Sequence, residues 1–121
     1  MSGARLQQSL TQMAALPGVG GCAIVEADTG MVWMSAGELP GVHHLGEAVS
    51  DYWRLFLRRR DDFADLGELR AQVLIHSHRR VTLVGCGDRL VLVTVSAEPD
   101  RVRWSDWKGA VGALQQLVAS I

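Results

Sequence analysis

Residues 69–95 read LRAQVLIHSHRRVTLVGCGDRLVLVTV, and the fold turns on this stretch. Leu69 to His76 is rich in Val, Ile and Leu, and Ser77 to Arg80 reads as a turn. Val81 to Val84 is a second apolar run, Gly85-Cys86-Gly87-Asp88 a tight turn, and Leu90 to Val95 the most β-prone segment of the chain. Connections this short make a meander of three antiparallel neighbours. Only Arg70 and Gln72 interrupt the apolar character of the first strand, which has neither proline nor lysine.

Working outward, Cys22 to Val25 and Met31 to Met34 flank Asp28-Thr29-Gly30, the pattern of a β-hairpin. Neither run alternates with polar residues, so both faces of the hairpin are expected to be covered. Between hairpin and meander, Val42, Leu45, Val49, Tyr52, Trp53, Phe56 and Leu57 recur at helical spacing. Their stripe is roughly 140° wide, more than the ~100° that docking one face requires. The run Arg58-Arg59-Arg60-Asp61-Asp62 ends the apolar pattern, and Gly67 is a firm stop. A first helix carries Leu6, Leu10, Met13 and Ala14 on one face and stops at Pro17-Gly18. A last helix, starting between Asp100 and Ser105, carries Trp104, Trp107, Val111, Leu114, Val118 and Ile121. The order helix, two strands, helix, three strands, helix needs cover on both sheet faces, and a three-layer α/β/α sandwich of the α+β class supplies it. The middle helix is the crossover that joins the two strand groups, which leaves Met31–Met34 and Leu69–His76 at the outside of the sheet. Isolated proteins usually blunt such an edge, and with neither proline nor lysine in Leu69–His76 a second copy of the chain is the expected partner, the alternative being cover by a neighbouring helix or loop.

Composition agrees with one domain over residues 1–121. The chain has twelve Lys plus Arg against thirteen Asp plus Glu, a formal charge of −1, which argues against a nucleic-acid binder held by a basic surface. No apolar run approaches the ~20 residues that span a bilayer, and Gln7, Gln8, Ser9, Thr11 and Gln12 break up any secretory leader. Two cysteines are too few for a disulfide scaffold, so a cytoplasmic setting is expected.

The stretch Leu16-Pro17-Gly18-Val19-Gly20-Gly21-Cys22-Ala23-Ile24-Val25, followed by Asp28-Thr29-Gly30-Met31-Val32, resembles the opening of a Roadblock/dynein light chain domain. The element order is similar over essentially the full length. The resemblance implies an antiparallel sheet of order 2-1-5-4-3, profilin-like, with the middle helix on one face and the terminal helices on the other. It also implies a homodimer, or a heterodimer with a homologous subunit, made by pairing the third strands with the middle helices antiparallel. Leu69, Ala71, Val73 and Ile75 of the strand and Val49, Trp53 and Phe56 of the helix are then the expected interface. Known members are non-catalytic platforms; several bacterial ones, the kind expected here, bind a small Ras-like GTPase. Four tryptophans, and Glu26 where the family often has Asp, depart from the usual pattern.

Enzyme and cofactor chemistry is weak in this sequence. Asp28-Thr29-Gly30 matches the loop of dimeric aspartic proteases, but Glu26-Ala27 before it and Met31 after it do not, and three helices exceed that small all-β enzyme. Gly18-Val19-Gly20-Gly21 lies between a helix and a strand, the reverse of a phosphate cradle. The pairs His43-His44 and His76/His78 have no further Cys or His at finger-like zinc spacing; a composite site with Cys22 or Cys86 is the alternative to surface or turn histidines. No metal, cofactor or catalytic residue is expected. Arg58, Arg59 and Arg60 belong to a region, residues 51–80, with seven basic and five acidic side chains; as arginines they suit a clamp on a partner's carboxylates or phosphates. Trp33, in an edge strand, and Trp53, at the side of the helix stripe, are candidate contact anchors, whereas Trp104 and Trp107 share the core stripe of the last helix. The expected function is a dimeric interaction module that scaffolds or regulates a small GTPase. The alternative is a small-molecule-sensing profilin-like domain, which needs a cavity that bulky Trp, Leu and Val on both faces are expected to fill.

Overall fold

In the computed structural model, which describes residues 2–120, the chain runs α1 (Ser2–Ala14), β1 (Val19–Glu26), β2 (Val32–Gly37), α2 (Val42–Arg58), a 3-10 segment (Arg60–Leu66), β3 (Ala71–Ile75), β4 (Arg80–Cys86), β5 (Leu90–Ser96), a short 3-10 turn (Pro99–Arg101) and α3 (Trp104–Ala119). The five strands form one sheet of order β2-β1-β5-β4-β3, every neighbouring pair antiparallel. The fold class is as expected from the sequence, and the strand order is the one the resemblance implied.

The central strands explain why helices are needed on both sides. Every residue of β5 is buried, and alternate side chains enter different cores. Cys22 and Ile24 of β1 and Leu92 of β5 meet Leu6, Leu10 and Met13 of α1 and Trp107, Val111 and Leu114 of α3. Ala23, Val25, Val91, Val93 and Val95 meet Val42, Val49 and Trp53 of α2. Each fully buried Leu, Ile or Val contributes about 1.5–3 kcal/mol, so both layers are integral to stability.

Two joints position the helices. After α1, Gly18 takes φ 83°, and a Cβ there would lie 2.5 Å from the Glu98 carbonyl oxygen; only glycine lets this turn pass so close to the start of the α3 connection. On the opposite face, Arg54 of α2 donates to the Ala27 carbonyl at 3.2 Å and to Ser50 Oγ at 3.0 Å, and also pairs with Asp51. It fastens α2 to the β1–β2 turn. That turn is built by Asp28-Thr29-Gly30, with the Gly30 N–H donating to the Glu26 carbonyl at 2.9 Å and the Met31 N–H to Thr29 Oγ1 at 3.1 Å.

Several details differ from the sequence reading or complete it. The charged run, which left the end of the middle helix open, holds two elements: α2 stops at Arg58, and Arg60–Leu66 winds on as a 3-10 segment with Phe63 stacked on Phe56, centroids 5.2 Å apart. β2 runs on to Gly37 and β4 to Cys86, past the expected ends at Met34 and Val84. The third strand covers Ala71–Ile75 and is shorter than Leu69–His76 at both ends. Of the last helix's stripe, Trp107, Val111 and Leu114 are buried, but Trp104 is only half-buried, edge-on to Trp107 with the Arg80 guanidinium 5.1 Å above its ring. Ile121 lies outside the described residues. Among the described residues, no helix is long and apolar enough to cross a membrane.

Candidate functional site

The β3–β4 ladder decides what the edge of the sheet offers. The Gly85 N–H donates to the Arg70 carbonyl and the His76 N–H to the Arg79 carbonyl, one bond at each end of the pairing. Hydrogen-bonded and non-bonded pairs alternate along an antiparallel ladder, so Gln72, opposite Leu83, and Leu74, opposite Val81, spend their backbone groups on β4. Ala71, Val73 and Ile75 point theirs outward. The side chains of Val73 and Ile75 are also exposed, 54% and 74%, and by register lie on the α1/α3 side, opposite Thr82 and Arg80. No proline, lysine or bulge blunts this edge.

On the other side of the sheet, α2 presents two apolar stripes rather than one broad one. Val42, Gly46, Val49, Ser50 and Trp53 are buried against the strands. Leu45, Ala48, Tyr52 and Leu55, spaced by three or four residues, form the second; Leu45 is half-buried against the α2-side core, Ala48 is exposed, and Tyr52 and Leu55 are about half exposed. Between this second stripe and the β3–β4 hairpin lies an open groove of about 1050 Å³ that includes Leu45, Tyr52, His76, Arg79 and Val81. Gln72 spans from strand to helix, its Nε2 donating to the Tyr52 carbonyl at 3.2 Å while its Oε1 is buried with no partner.

The expected interface residues therefore divide. Ala71, Val73 and Ile75 lie on the free edge. Leu69 precedes the strand, half-buried against the α2-side core. Val49 and Trp53 are core residues, 6% and 7% exposed, whose surface is largely used in docking α2 on the sheet. Phe56 is half-buried and stacks on Phe63. Tyr52 belonged to the stripe read from the sequence, but its outward direction, and Leu55 altogether, escaped that reading. Separating the apolar positions of α2 into two stripes at three-four spacing was the signal available.

The three arginines differ in their surroundings. Arg58 ends α2, the Arg59 Nε–H donates to Asp62 Oδ2 at 2.7 Å, and Arg60 begins the 3-10 segment; all three are exposed. Trp33 is 47% exposed on the other edge strand, its indole N–H donating to Glu26 Oε2 at 3.4 Å. Asp28 sits exposed in the hairpin turn, and the paired histidines are exposed as well. Among the described residues, no three His, Cys, Asp or Glu side chains are placed to hold a metal. Burial pushes the Cys22 thiol up to about 12 and the Cys86 thiol up to about 11, which keeps both protonated at neutral pH. Bulky side chains fill both layers, and an open recess lies at the end of α2, lined by Trp53, Phe56, Leu57 and Leu69 among others.

No family model and no curated protein matches the sequence. Solved structures do match in fold. A Roadblock/LC7 domain from Streptomyces avermitilis superposes with a TM-score of 0.76 at 18% identity, over 96% of this chain and 93% of that one. The gliding protein MglB from Thermus thermophilus gives 0.77 at 18% identity, over 99% and 93%. An MglB structure described as having a tetrameric arrangement gives 0.75 at 16% identity, over 98% and 91%. With the strand order, the helix placement and the free β3 edge, these likenesses establish that the chain has the Roadblock/LC7 fold.

Proposed function

We propose that this protein is a non-catalytic, dimeric interaction module, one domain over residues 1–121, that scaffolds or regulates a small Ras-like GTPase in the cytoplasm. The observation that carries the reading is the β3 edge: three residues with outward backbone groups, on a sheet whose middle helix leaves Tyr52 and Leu55 about half exposed. Antiparallel pairing of β3 with a second copy about Val73 sets Ala71 opposite Ile75 of that copy and joins the two sheets into one. The same two-fold axis brings the Leu45, Tyr52 and Leu55 stripes together. The tetrameric arrangement of an MglB of the same fold supports self-association; a homologous subunit in place of the second copy uses the same surfaces. The GTPase partner rests on the family resemblance of the sequence. Its switch loops would be positioned by the composite surface of two α2 helices, with Arg58 to Arg60 and Trp33 as candidate contacts.

Sedimentation equilibrium at tens of micromolar gives twice the 13.2 kDa chain mass on this reading. Pull-down against a panel of Ras-like GTPases, each loaded with GDP or a GTP analogue, then retains at least one in a nucleotide-dependent way. A strictly monomeric species removes the platform, and a dimer that captures no GTPase in either state removes the regulatory role. The sensing alternative gains support from the recess at the end of α2.

A further inference from the structure

We propose that the α1/α3 side of the paired sheet is a docking trough for one amphipathic α-helix with acidic flanks, supplied by a partner protein and shared by two copies of the chain. The inference rests on the β3–β3 dimer of the preceding reading and adds a second surface to it, on the face away from α2. Its floor is apolar. Ala71, Val73 and Ile75 are exposed on that side, Val73 by 54% and Ile75 by 74%. Main-chain pairing about Val73 uses only their outward backbone groups. Residues directly opposite in an antiparallel pair project to the same face, so these side chains from both copies form one floor across the junction.

The walls are the two α3 helices. The Trp107 indole N–H donates to Thr94 Oγ1 of β5, and Gln115 Nε2 donates to the Gly85 carbonyl of β4 at 3.0 Å, so α3 stands over the β4–β5 pair. Trp104 beside Arg80 at one end and Gln115 beside Gly85 at the other set α3 running along β4. Strands lie about 4.8 Å apart. A line midway between β4 and β5 is then two spacings, about 10 Å, from the junction of the copies. The two α3 axes are therefore about 19 Å apart. Packed helices sit about 8–10 Å axis to axis, so the gap takes one helix and no more. A flat bilayer surface does not reach a floor this narrow.

Charge on the walls selects the helix. Trp104, Lys108 and Gln115, four and seven residues apart, share one flank of α3. The contacts of Trp104 and Gln115 turn that flank toward β4 and the trough, and Lys108 is exposed on it. Arg80 of β4, directly opposite Ile75, holds its guanidinium 5.1 Å from the centre of the Trp104 ring, with its Nε buried and unpartnered. Among the described residues, neither Arg80 nor Lys108 is in an ion pair. Asp106, the one acidic residue of α3, falls on the opposite flank. The two-fold axis repeats this set, so both walls are cationic. Two such faces repel each other, which disfavours a second dimer as the occupant. A helix with an apolar stripe beneath and carboxylates along both flanks satisfies floor and walls together.

Calorimetry and amide-detected NMR titration of the full chain test this with a helical peptide of about 18 residues, leucine along one stripe and glutamate on both flanks, and with its lysine-flanked twin. The glutamate peptide is expected to bind one per two chains, at least about tenfold more tightly than the twin. Shifts should concentrate on the amides of Val73, Ile75 and Lys108. Lys108→Glu, at an exposed position, should weaken binding about fivefold while sedimentation still reads a dimer. Val73→Pro should abolish binding together with the dimer. Circular dichroism separates lost binding from lost fold, and Lys108→Glu carries the test if Val73→Pro does not fold. A dimer that ignores the glutamate peptide overturns this proposal alone, whereas a strictly monomeric chain overturns it together with the interaction-module reading. Equal binding of the two peptides, one peptide per chain, or shifts confined to α2 also overturn it. So does pelleting with phosphatidylserine–phosphatidylcholine vesicles in place of peptide binding.

Discussion

Thr94 is the residue on which several elements meet. Its Oγ1 accepts the Trp107 indole N–H at 3.1 Å, and Met13 Sδ and Cys22 Sγ each lie 4.0 Å from it, so α1, α3, β1 and β5 touch one buried hydroxyl. Thr94→Val keeps the shape but strands a buried indole N–H, at a cost of about 1–3 kcal/mol; urea denaturation measures it, and Thr94→Ser should recover most of the loss. Gly18→Ala is expected to be at least as damaging, because the added methyl meets the Glu98 carbonyl and the φ of 83° is unfavourable for alanine. The cysteines make a different prediction. In the native protein iodoacetamide at pH 8 should leave Cys22 and Cys86 unlabelled, and mass spectrometry should find both modified only after denaturation. Their thiol pKa values are raised from 9.0 to about 12 and about 11. Above pH 9 the unfolded chain therefore loses thiol protons that the folded one keeps. The stability this contributes is full below pH 9 and declines between about 9 and 12, which denaturant midpoints taken across that range will show.

The edge strand and the middle helix can be disabled without unfolding the chain. Val73 points its N–H away from β4, so Val73→Pro removes an outward donor while sparing the internal ladder. The expected outcome is a folded monomer by sedimentation, with thermal stability changed far less than self-association. Tyr52→Glu or Leu55→Glu should act likewise through the exposed stripe, whereas Trp53→Ala, in the core, should cost about 3–5 kcal/mol of stability. The elements that sequence revealed best are those whose burial imprints a pattern. β5 is buried along its whole length, and LVLVTV at 90–95 shows it. The 3-10 segment buries no residue. Its solvent-facing RDDFADL therefore carries no periodicity, and its existence depends on a Phe56–Phe63 contact that linear spacing does not reveal. The double character of α2 was half legible: the stripe's excess width was visible, but which residues turned outward needed the sheet beneath them.

At the scale of the whole molecule, the three-layer plan was legible because two-sided apolar strands and amphipathic helices in that order admit few packings. The free edge was legible too, from the residues missing in 71–75. The recess at the end of α2 was not, since the residues that line it, from Ala27 to Leu90, are scattered over sixty residues and reach the same end of the sheet only in the folded chain. The layered arrangement has a practical corollary. The first and last helices share the layer opposite α2, so a fluorophore, affinity tag or fusion attached at either end is carried on the reverse of the proposed recruiting surface. Immobilising the protein through such a tag should leave α2 facing the bulk solution, an orientation suited to surface-based capture experiments.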